Sequence, residues 1–320
     1  TIKTIVGLSA LENDVVSTNM RVQCKGSIDF YGEKFHCWKK KGHGYMTMRS
    51  AIKRSCDVYF YEIARKLGVD RLSETAKKFG LGKKVLDGFA EEKSGVVPNT
   101  KWKKKFIGQN WYLGETLHSG IGQGYFLSTP LQLCLMTAQL ANGGFEIKPR
   151  IILNKNDNTN NLKDYIKYKN DNPNEPLPTN LLLTNFNLKP LFRNQENINF
   201  IKEAMYASTN EIGGTSYRSR LSSKKFMFAG KTGSSQIKRF TAAQREAEVK
   251  QDEIIYKDRD HALYIAYAPV ENPKYAISVV VEHGGSGSSA AAPIAKQVIK
   301  KVLERDILRN AKTNQIGAEA

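Results

Sequence analysis

Apolar residues recur at helical spacing along much of the chain. Near the start, Ile2, Ile5, Leu8 and Leu11 fall on one face and predict a buried helix over residues 1–16. The same periodicity predicts further helices over 47–67, 70–79, 129–143, 198–210 and 290–309. Five of these six predicted helices lie before residue 211.

Local signals mark where two of these helices begin, end or break. Thr129 is placed as the N-cap of its helix, Pro130 as the first helical residue and Gly143 just past the end. The helix over 47–67 is interrupted near Ser55, where a serine, a cysteine and an aspartate follow one another. This interruption predicts a turn rather than one continuous helix.

Strand patterns are concentrated in the last third of the chain. The stretch "KFMFAGKTGSSQ" (225–236) predicts a strand that runs into a glycine turn, and "HALYIAYAPV" (261–270) and "KYAISVVVEHG" (274–284) predict two adjacent antiparallel strands. Three segments show neither a helix nor a strand pattern. Residues 17–46 are predicted to be irregular and residues 83–127 to be rich in loops. Residues 154–197 are rich in Asn, Asp and Lys and are predicted to form a surface excursion. Helices in the middle and strands late predict an α+β fold, in which a sheet packs against a helical lobe.

Composition indicates a folded protein with a strong positive charge. Hydrophobic residues make up 40% and charged residues 25% of the 320, but the net charge is +18. This charge suits an anionic partner, such as nucleic acid, an acidic membrane surface or an anionic polymer, and is also compatible with lysine-rich solvated faces. The lysines are not grouped with stacking aromatic residues and no nucleic-acid-binding motif is present, which argues against nucleic acid. No stretch reaches the roughly 20 apolar residues of a membrane span.

Four short motifs occur along the chain in an order that is informative about function. They are "TIK" at 1–3, "SCD" at 55–57, "GIGQGYFLSTPLQL" at 120–133 and "KTGS" at 231–234. This order resembles that of the penicillin-recognising serine acyltransferases, whose signature is S-x-x-K, then S-x-N or S-x-D, then K-T-G. The resemblance covers essentially the whole chain and is closest to the penicillin-binding protein 2 family, the class B transpeptidases of cell elongation.

The resemblance implies a role for each catalytic position. Lys3 occupies the lysine place of S-x-x-K, where burial and neighbouring cations would allow its amine to act as general base. Lys231 is the second cation, which would keep Lys3 deprotonated and attract a substrate carboxylate. Ser55 would relay a proton to the leaving group, and Asp57 stands where many relatives have Asn. The nucleophilic serine is expected immediately before Thr1, so the chain as written should bind substrate without acylating, and it is expected to be the C-terminal part of a longer protein.

The same resemblance assigns the substrate-binding residues to the end of the first late strand. Thr232 and Ser234 would place hydroxyls near the substrate carboxylate, and the Ser234 N–H is the candidate oxyanion donor. Gly233 would let the strand edge approach the substrate. Taken singly, these residues have ordinary structural explanations: Lys3 as a solvated lysine, Ser55 as a helix breaker and Asp57 as an N-cap. Gln123 and the glycines beside it are predicted to set a tight turn.

Three cysteines and a histidine form a candidate metal site. Cys24, Cys37, His43 and Cys56 follow the spacing C-x12-C-x5-H-x12-C and could complete a tetrahedral zinc shell, with His36 as a reserve ligand. The resemblance adds that some penicillin-binding protein 2 members carry a structural zinc with Asp, His and Cys ligands in this segment. A disulfide and reduced packing cysteines remain alternatives. The fourth cysteine of the chain is predicted to be packed in its helix.

The resemblance also implies the fold and the activity. It implies a β-lactamase/transpeptidase-like α+β fold, with a five-stranded antiparallel sheet flanked by helices and a mostly helical lobe, in one domain over 1–320 with a disordered tail at 311–320. The implied activity is a peptidoglycan D,D-transpeptidase that acts on stem peptides, is inhibited by β-lactams and uses a structural zinc but no organic cofactor.

The implied partners are a SEDS-type membrane glycosyltransferase and the elongation scaffold. The implied location is the bacterial inner membrane, with this part of the protein in the periplasm. The alternatives are a D,D-carboxypeptidase or β-lactamase, a β-lactam sensor of the same fold, an N-terminal nucleophile hydrolase that uses Thr1, or a non-enzymatic binder of an acidic polymer.

Overall fold

The computed structural model describes residues 1–86, 88–151, 190–238, 244, 249 and 251–318. Its longer helices are α1 (Lys3–Glu12), α2 (Met48–Arg54), α3 (Asp57–Leu67), α4 (Val69–Lys78), α5 (Thr100–Phe106), α6 (Leu113–Gly120), α7 (Pro130–Ala141), α8 (Gln195–Asn210) and α9 (Ala292–Ala318). Its strands are β1 (Val22–Cys24), β2 (Ser27–Phe30), β3 (Glu33–His36), β4 (Gly44–Met46), β5 (Ala229–Ser235), β6 (His261–Ala268) and β7 (Tyr275–Val281). The predicted α+β class is confirmed.

The predicted helices are present, and two more occur where loops were predicted. The break near Ser55 separates α2 from α3, and α7 begins at Pro130 after the Thr129 cap, as predicted. The additional helices α5 and α6 have only seven and eight residues. They begin at local caps: the Asn99 side chain accepts from the Trp102 N–H, and the Glu115 side chain accepts from an N–H at the start of α6. Such short helices do not complete enough turns to show an apolar period.

The strands β5, β6 and β7 form an antiparallel sheet in that order. Lys231 of β5 lies opposite Ile265 of β6, and Ile265 lies opposite Ser278 of β7. The predicted antiparallel pairing of β6 with β7 is therefore confirmed. The resemblance implied five strands, but this sheet has three within the described residues. The remaining described strands pair with one another instead, β1 with β4 and β2 with β3, and so cannot extend it.

Two hydrophobic cores lie on opposite sides of the sheet. The larger core belongs to the helical lobe and surrounds α1, all ten of whose residues are buried. The smaller core lies between the sheet and α9, where Phe228 and Tyr264 meet Ala295, Ile299 and Leu303. The start of α1 therefore sits beside β5 at the boundary between lobe and sheet.

The sequence also predicted a disordered C-terminal tail and a surface excursion ahead of α8. Helix α9 runs from Ala292 through Ala318, and the disordered tail at 311–320 stays a prediction. The tail is rich in good helix formers, and its first glycine is Gly317, so nothing local ends the helix earlier. The surface excursion predicted at 154–197 lies, up to residue 189, outside the described residues. None of the described helices is long and apolar enough to cross a membrane.

An ion-pair cluster fastens α2 to the end of α8. Glu211 accepts from Arg49 and, at 2.7 Å, from Lys53, and Arg49 also reaches Glu203 at 2.9 Å. The Arg49 guanidinium, assisted by Lys53, lowers the pKa of Glu211 to about 2 from an ordinary value of 4.5. Because α2 ends at Ser55, this cluster fixes the approach to the predicted site.

We expect Glu211→Gln to destabilise the protein in a pH-dependent manner. The folded-state pKa is lowered, so the stabilisation is fully present above pH 4.5 and is lost as the pH falls towards about 2. Thermal unfolding should show that the free energy of unfolding falls by about 1 kcal/mol at neutral pH, because partly exposed ion pairs contribute little to stability. The difference should vanish near pH 2. Glu271→Gln, at an exposed position, is the control, and a difference that persists unchanged at low pH would contradict the assignment.

Candidate active site and metal cluster

Lys3 lies at the buried first turn of α1 and contacts the turn between α2 and α3. Its Nζ donates to the Ser55 carbonyl at 2.9 Å, to Ser55 Oγ at 3.0 Å and to Asp57 Oδ1 at 2.6 Å. The Lys3 and Asp57 side chains are only 8% and 12% exposed. The structure thus brings Lys3 together with Ser55 and Asp57, two predicted catalytic residues that lie 52 and 54 positions further along the chain.

The turn that carries Ser55 and Asp57 has an unusual backbone. Ser55 ends α2 with φ 55° and ψ 44°, a left-handed conformation that costs a non-glycine residue roughly 1–2 kcal/mol. Lys3 and the indole N–H of Trp38, at 2.9 Å, both donate to the Ser55 carbonyl and hold this geometry. Asp57 is the first residue of α3 rather than its N-cap, and Cys56 occupies the cap position. The strain is therefore stored at a position predicted to be functional.

Trp38 is a residue that the sequence analysis missed. Besides its contact with Ser55, its backbone N–H donates to Asp57 Oδ2 at 2.8 Å. The carboxylate of Asp57 is thereby held between Lys3 and Trp38. Trp38 belongs to no motif, and its position directly after Cys37 is the only signal that could have pointed to it.

Lys231 lies on β5 and is fully buried. Its Nζ donates to the Thr232 carbonyl at 3.0 Å, and no carboxylate contacts it within the described part of the chain. Burial, followed by the positive charge of Lys3, lowers the pKa of Lys231 far below its ordinary value. The expectation was that Lys231 keeps Lys3 deprotonated. The direct contact of Lys3 is with Asp57, at 2.6 Å, and the predicted effect of Lys231 on Lys3 stays a prediction.

The end of β5 packs closely against the start of α1. The Thr1 nitrogen lies 3.3 Å from the Thr232 carbonyl oxygen, and a Cβ added at Gly233 would come within 2.8 Å of that nitrogen. Gly233 therefore permits the approach of β5 to α1. Ser234 is exposed, and its carbonyl accepts from Gln123 Nε2 at 2.9 Å. The Gln123 side chain thus contacts β5, whereas the sequence predicted for Gln123 only a role in a tight turn.

The predicted metal ligands converge in space. One ligand atom from each of Cys24, Cys37, His43 and Cys56 lies within 4.8 Å of the others, and all four residues are buried. His43 Nδ1 is 3.5 Å from Cys37 Sγ and 3.7 Å from Cys24 Sγ. All four cysteines of the chain are free, which speaks against the disulfide alternative. The cluster can hold a metal ion.

The protonation properties of the cluster follow from its burial and its contacts. A hydrogen bond from the Cys56 thiol lowers the pKa of Cys37 to about 7, and the same contact raises the pKa of Cys56. Burial raises the pKa of Cys24 and lowers the pKa of His43. Because Cys56 lies between Ser55 and Asp57, the cluster adjoins the Lys3 site directly.

Comparison with known proteins identifies the family. The profile described as "Penicillin binding protein transpeptidase domain" matches residues 1–300. The chain belongs to this family. The peptidoglycan D,D-transpeptidase MrdA of Haemophilus influenzae is 32% identical over 98% of this chain and 45% of its own length. The chain spans about half the length of the curated relatives it matches.

Solved structures agree with this family assignment. PBP2 of Pseudomonas aeruginosa, solved in complex with WCK 5153, superposes with a TM-score of 0.74 and 33% identity, covering 94% of this chain and 59% of that one. PBP2 of Helicobacter pylori, solved in complex with MreC, gives a TM-score of 0.76 and 31% identity, covering 95% of this chain and 48% of that one. The β-lactamase/transpeptidase-like fold expected from the motifs is confirmed.

We expect Gly233→Ala to destabilise this transpeptidase domain by about 1–3 kcal/mol, because its Cβ would overpack the contact between β5 and Thr1. Gly114→Ala is the matched control. A Cβ at Gly114, in α6, would meet only the Phe35 ring at 3.5 Å, so this substitution should be neutral or stabilising by about 0.5–1 kcal/mol. Equal melting temperatures for the two variants would show that the approach at Gly233 is not tight.

Proposed function

We propose that the chain is a single D,D-transpeptidase domain that cross-links peptidoglycan stem peptides during cell elongation. A serine hydroxyl attacks the carbonyl carbon of the penultimate D-alanine, and the terminal D-alanine leaves with the proton that the serine gave up. The acyl group then passes to an amine of a neighbouring strand, which releases the serine. The observation that carries the proposal is the convergence of Lys3, Ser55, Asp57 and Lys231 at one point of a penicillin-binding protein fold.

The catalytic roles follow from the contacts. The residue before Thr1 supplies the nucleophile, since Thr1 lies against β5 at the start of the helix that carries Lys3. Lys3, as the unprotonated amine, accepts the proton of that hydroxyl, and Ser55, 3.0 Å away, is the group able to relay this same proton to the leaving amine. Lys231 adds a buried amine beside the reacting groups. Asp57 and Trp38 keep Lys3 and Ser55 in place.

Substrate binding falls to the end of β5. The Thr232 and Ser234 hydroxyls donate hydrogen bonds to the substrate carboxylate, and the Ser234 N–H is the candidate oxyanion donor. The β5 strand is the edge of its sheet within the described residues, so an extended peptide can lie beside it. Gln123 fixes this edge through the Ser234 carbonyl.

The decisive test is acylation by benzylpenicillin. In a protein extended upstream of Thr1, intact mass spectrometry should show one adduct, which is lost when the residue before Thr1 is changed to Ala. Lys3→Met should slow acylation by about 10²–10⁴-fold, the range of a lost acid–base group. The exposed Lys101→Met is the control. No adduct from a protein with serine at that position would refute the proposal, and an adduct that hydrolyses within seconds would favour a β-lactamase.

The Cys/His cluster is proposed to bind a structural zinc ion. Zinc–ligand bonds of about 2.3 Å to sulfur and 2.0 Å to nitrogen, at a tetrahedral angle, place sulfur and nitrogen roughly 3.6 Å apart. The two distances from His43 Nδ1, 3.5 and 3.7 Å, fit this requirement. When bound, zinc would cross-link the segment 24–43 to Cys56 and so hold the turn that carries Ser55 and Asp57.

Cys56→Ala should abolish stoichiometric zinc, lower the free energy of unfolding by about 2–5 kcal/mol and slow benzylpenicillin acylation, although no catalytic group is removed. Metal content is measured by inductively coupled plasma mass spectrometry and stability by thermal unfolding. Cys134→Ala, a cysteine of α7 outside the cluster, should keep the zinc. A zinc-free wild-type protein whose stability matches that of Cys56→Ala would refute the zinc proposal.

The proposed partners and location follow from the relatives. The Helicobacter pylori PBP2 was solved with MreC, and we propose an elongation scaffold of this kind, together with a SEDS-type glycosyltransferase, as partners of the whole protein. We also propose that this domain works in the bacterial periplasm and that the whole protein is held at the inner membrane. The net charge of +18 suits the anionic cell-wall polymer on which such a domain acts.

A further inference from the structure

The outer backbone edge of β5, which faces away from β6, is bonded to groups outside the sheet. The Thr232 carbonyl lies 3.3 Å from the Thr1 nitrogen, and the Ser234 carbonyl accepts from Gln123 Nε2 at 2.9 Å. Successive residues of a strand direct their N–H and C=O to opposite sides. Thr232, Ser234 and Gln236, directly after β5, therefore present these groups at the outer edge. This is the edge beside which a substrate peptide is proposed to lie.

The carboxamide of Gln123 bonds two of these outer groups at once. Its Nε2 donates to the Ser234 carbonyl at 2.9 Å, and its Oε1 accepts from the Gln236 N–H at 3.3 Å. A carboxamide offers the same kinds of donor and acceptor as the backbone. One residue of an added strand would bond this same carbonyl and this same N–H. The Gln123 side chain therefore occupies the place of a strand residue.

The backbone of Gln123 is fixed, so that its side chain is the part able to leave β5. The Gln123 N–H donates to the His118 carbonyl of α6 at 2.9 Å. Gly122 and Gly124, on either side, are left-handed with φ 78° and 75°, and a Cβ added at Gly122 would come within 2.9 Å of Ile2. The turn is thus packed against α6 and the start of α1. The Gln123 residue itself is half-buried, and both of its side-chain hydrogen bonds are exposed to solvent.

A peptide that pairs with β5 competes with this side chain for one position. The nitrogen of a strand N–H lies about 2.9 Å from the carbonyl oxygen that it bonds. Gln123 Nε2 already lies at that distance from the Ser234 oxygen, so the peptide can enter only after the carboxamide has moved away. Because water replaces a solvent-exposed hydrogen bond, each of the two bonds contributes only a factor of roughly two to ten. A ligand can therefore break them.

We infer that Gln123 is a latch on the outer edge of β5, which occupies the position of a substrate residue in the free protein and is displaced by a ligand that offers an N–H to the Ser234 carbonyl. The inference rests on the proposed function. A ligand with such an N–H replaces the bond from Gln123 Nε2, whereas a ligand without it leaves the latch closed. Gln123 thereby makes the edge of β5 selective for extended peptides and for β-lactams that carry an amide.

Two β-lactams that differ in this group provide the test on the full-length protein. Benzylpenicillin carries one amide N–H in its side chain, whereas sulbactam has no N–H. Acylation is followed by intact mass spectrometry, and the second-order rate constants of the two compounds are expressed as a ratio. Gln123→Ala should raise the ratio of benzylpenicillin to sulbactam roughly three- to tenfold, because the latch no longer has to open. Gln123→Glu should also raise it, since a carboxylate has no donor for the Ser234 carbonyl.

The Gln236 N–H reports displacement of the latch directly, because it is bonded to Gln123 Oε1. Hydrogen–deuterium exchange is measured in the peptic fragment that contains Gln236. Acylation of the wild-type protein by benzylpenicillin should make this exchange faster, whereas acylation by sulbactam should leave it as in the free protein. In Gln123→Ala the exchange should be fast before any ligand is added.

Gln109→Ala is the matched control, because Gln109 is an exposed glutamine in the segment ahead of α6, and it should leave the ratio unchanged. A ratio that falls or stays the same in Gln123→Ala, or exchange at Gln236 that stays slow after benzylpenicillin acylation, would overturn the latch. If benzylpenicillin still acylates the protein in that case, the proposed function stands. If no adduct forms in the wild-type protein, the proposed function is wrong and the latch is wrong with it.

Discussion

The buried ion pair between Lys3 and Asp57 is the interaction on which the arrangement of the site depends. Removing two charges from water is costly, and the pair is tolerable only because both groups make further hydrogen bonds. Lys3 also donates to Ser55, and Asp57 also accepts from Trp38. Through these contacts α1, the turn after α2 and the segment after β3 are fixed relative to one another.

The Cys/His cluster explains how a small, irregular segment can contribute to that site. The strands β1 to β4 have three or four residues each and pair only as two-stranded sheets, which are marginal by themselves. Cys24, Cys37 and His43 anchor this segment to Cys56, next to Ser55 and Asp57. Trp38, directly after Cys37, is thereby brought to the position from which it holds the Ser55 carbonyl. The packing of the cluster and the geometry of the site therefore depend on each other.

The strand β5 serves two neighbouring regions because its side chains alternate. Gly233 faces the start of α1, where the chemistry is proposed, and Thr232 contacts Thr215 of the segment after α8. The segment after α8 joins both regions, since it binds α2 through Glu211 and the Lys53 carbonyl. The segment after α8 therefore ties β5, through Thr232, to α2 just before Ser55.

Local patterns in the sequence determined most elements of the fold, including the break at Ser55, the capped helix α7 and the antiparallel pair β6 and β7. The motif order also predicted that Lys3, Ser55, Asp57 and Lys231 would meet, and the cysteine spacing together with the family resemblance predicted the members of the Cys/His cluster. Only the tertiary structure decided that Asp57 contacts Lys3 directly, that Trp38 holds Ser55 and that Thr215 reaches Thr232. These contacts join residues far apart in the chain, which leave no periodic or local signal, and their energies depend on burial that exists only after folding.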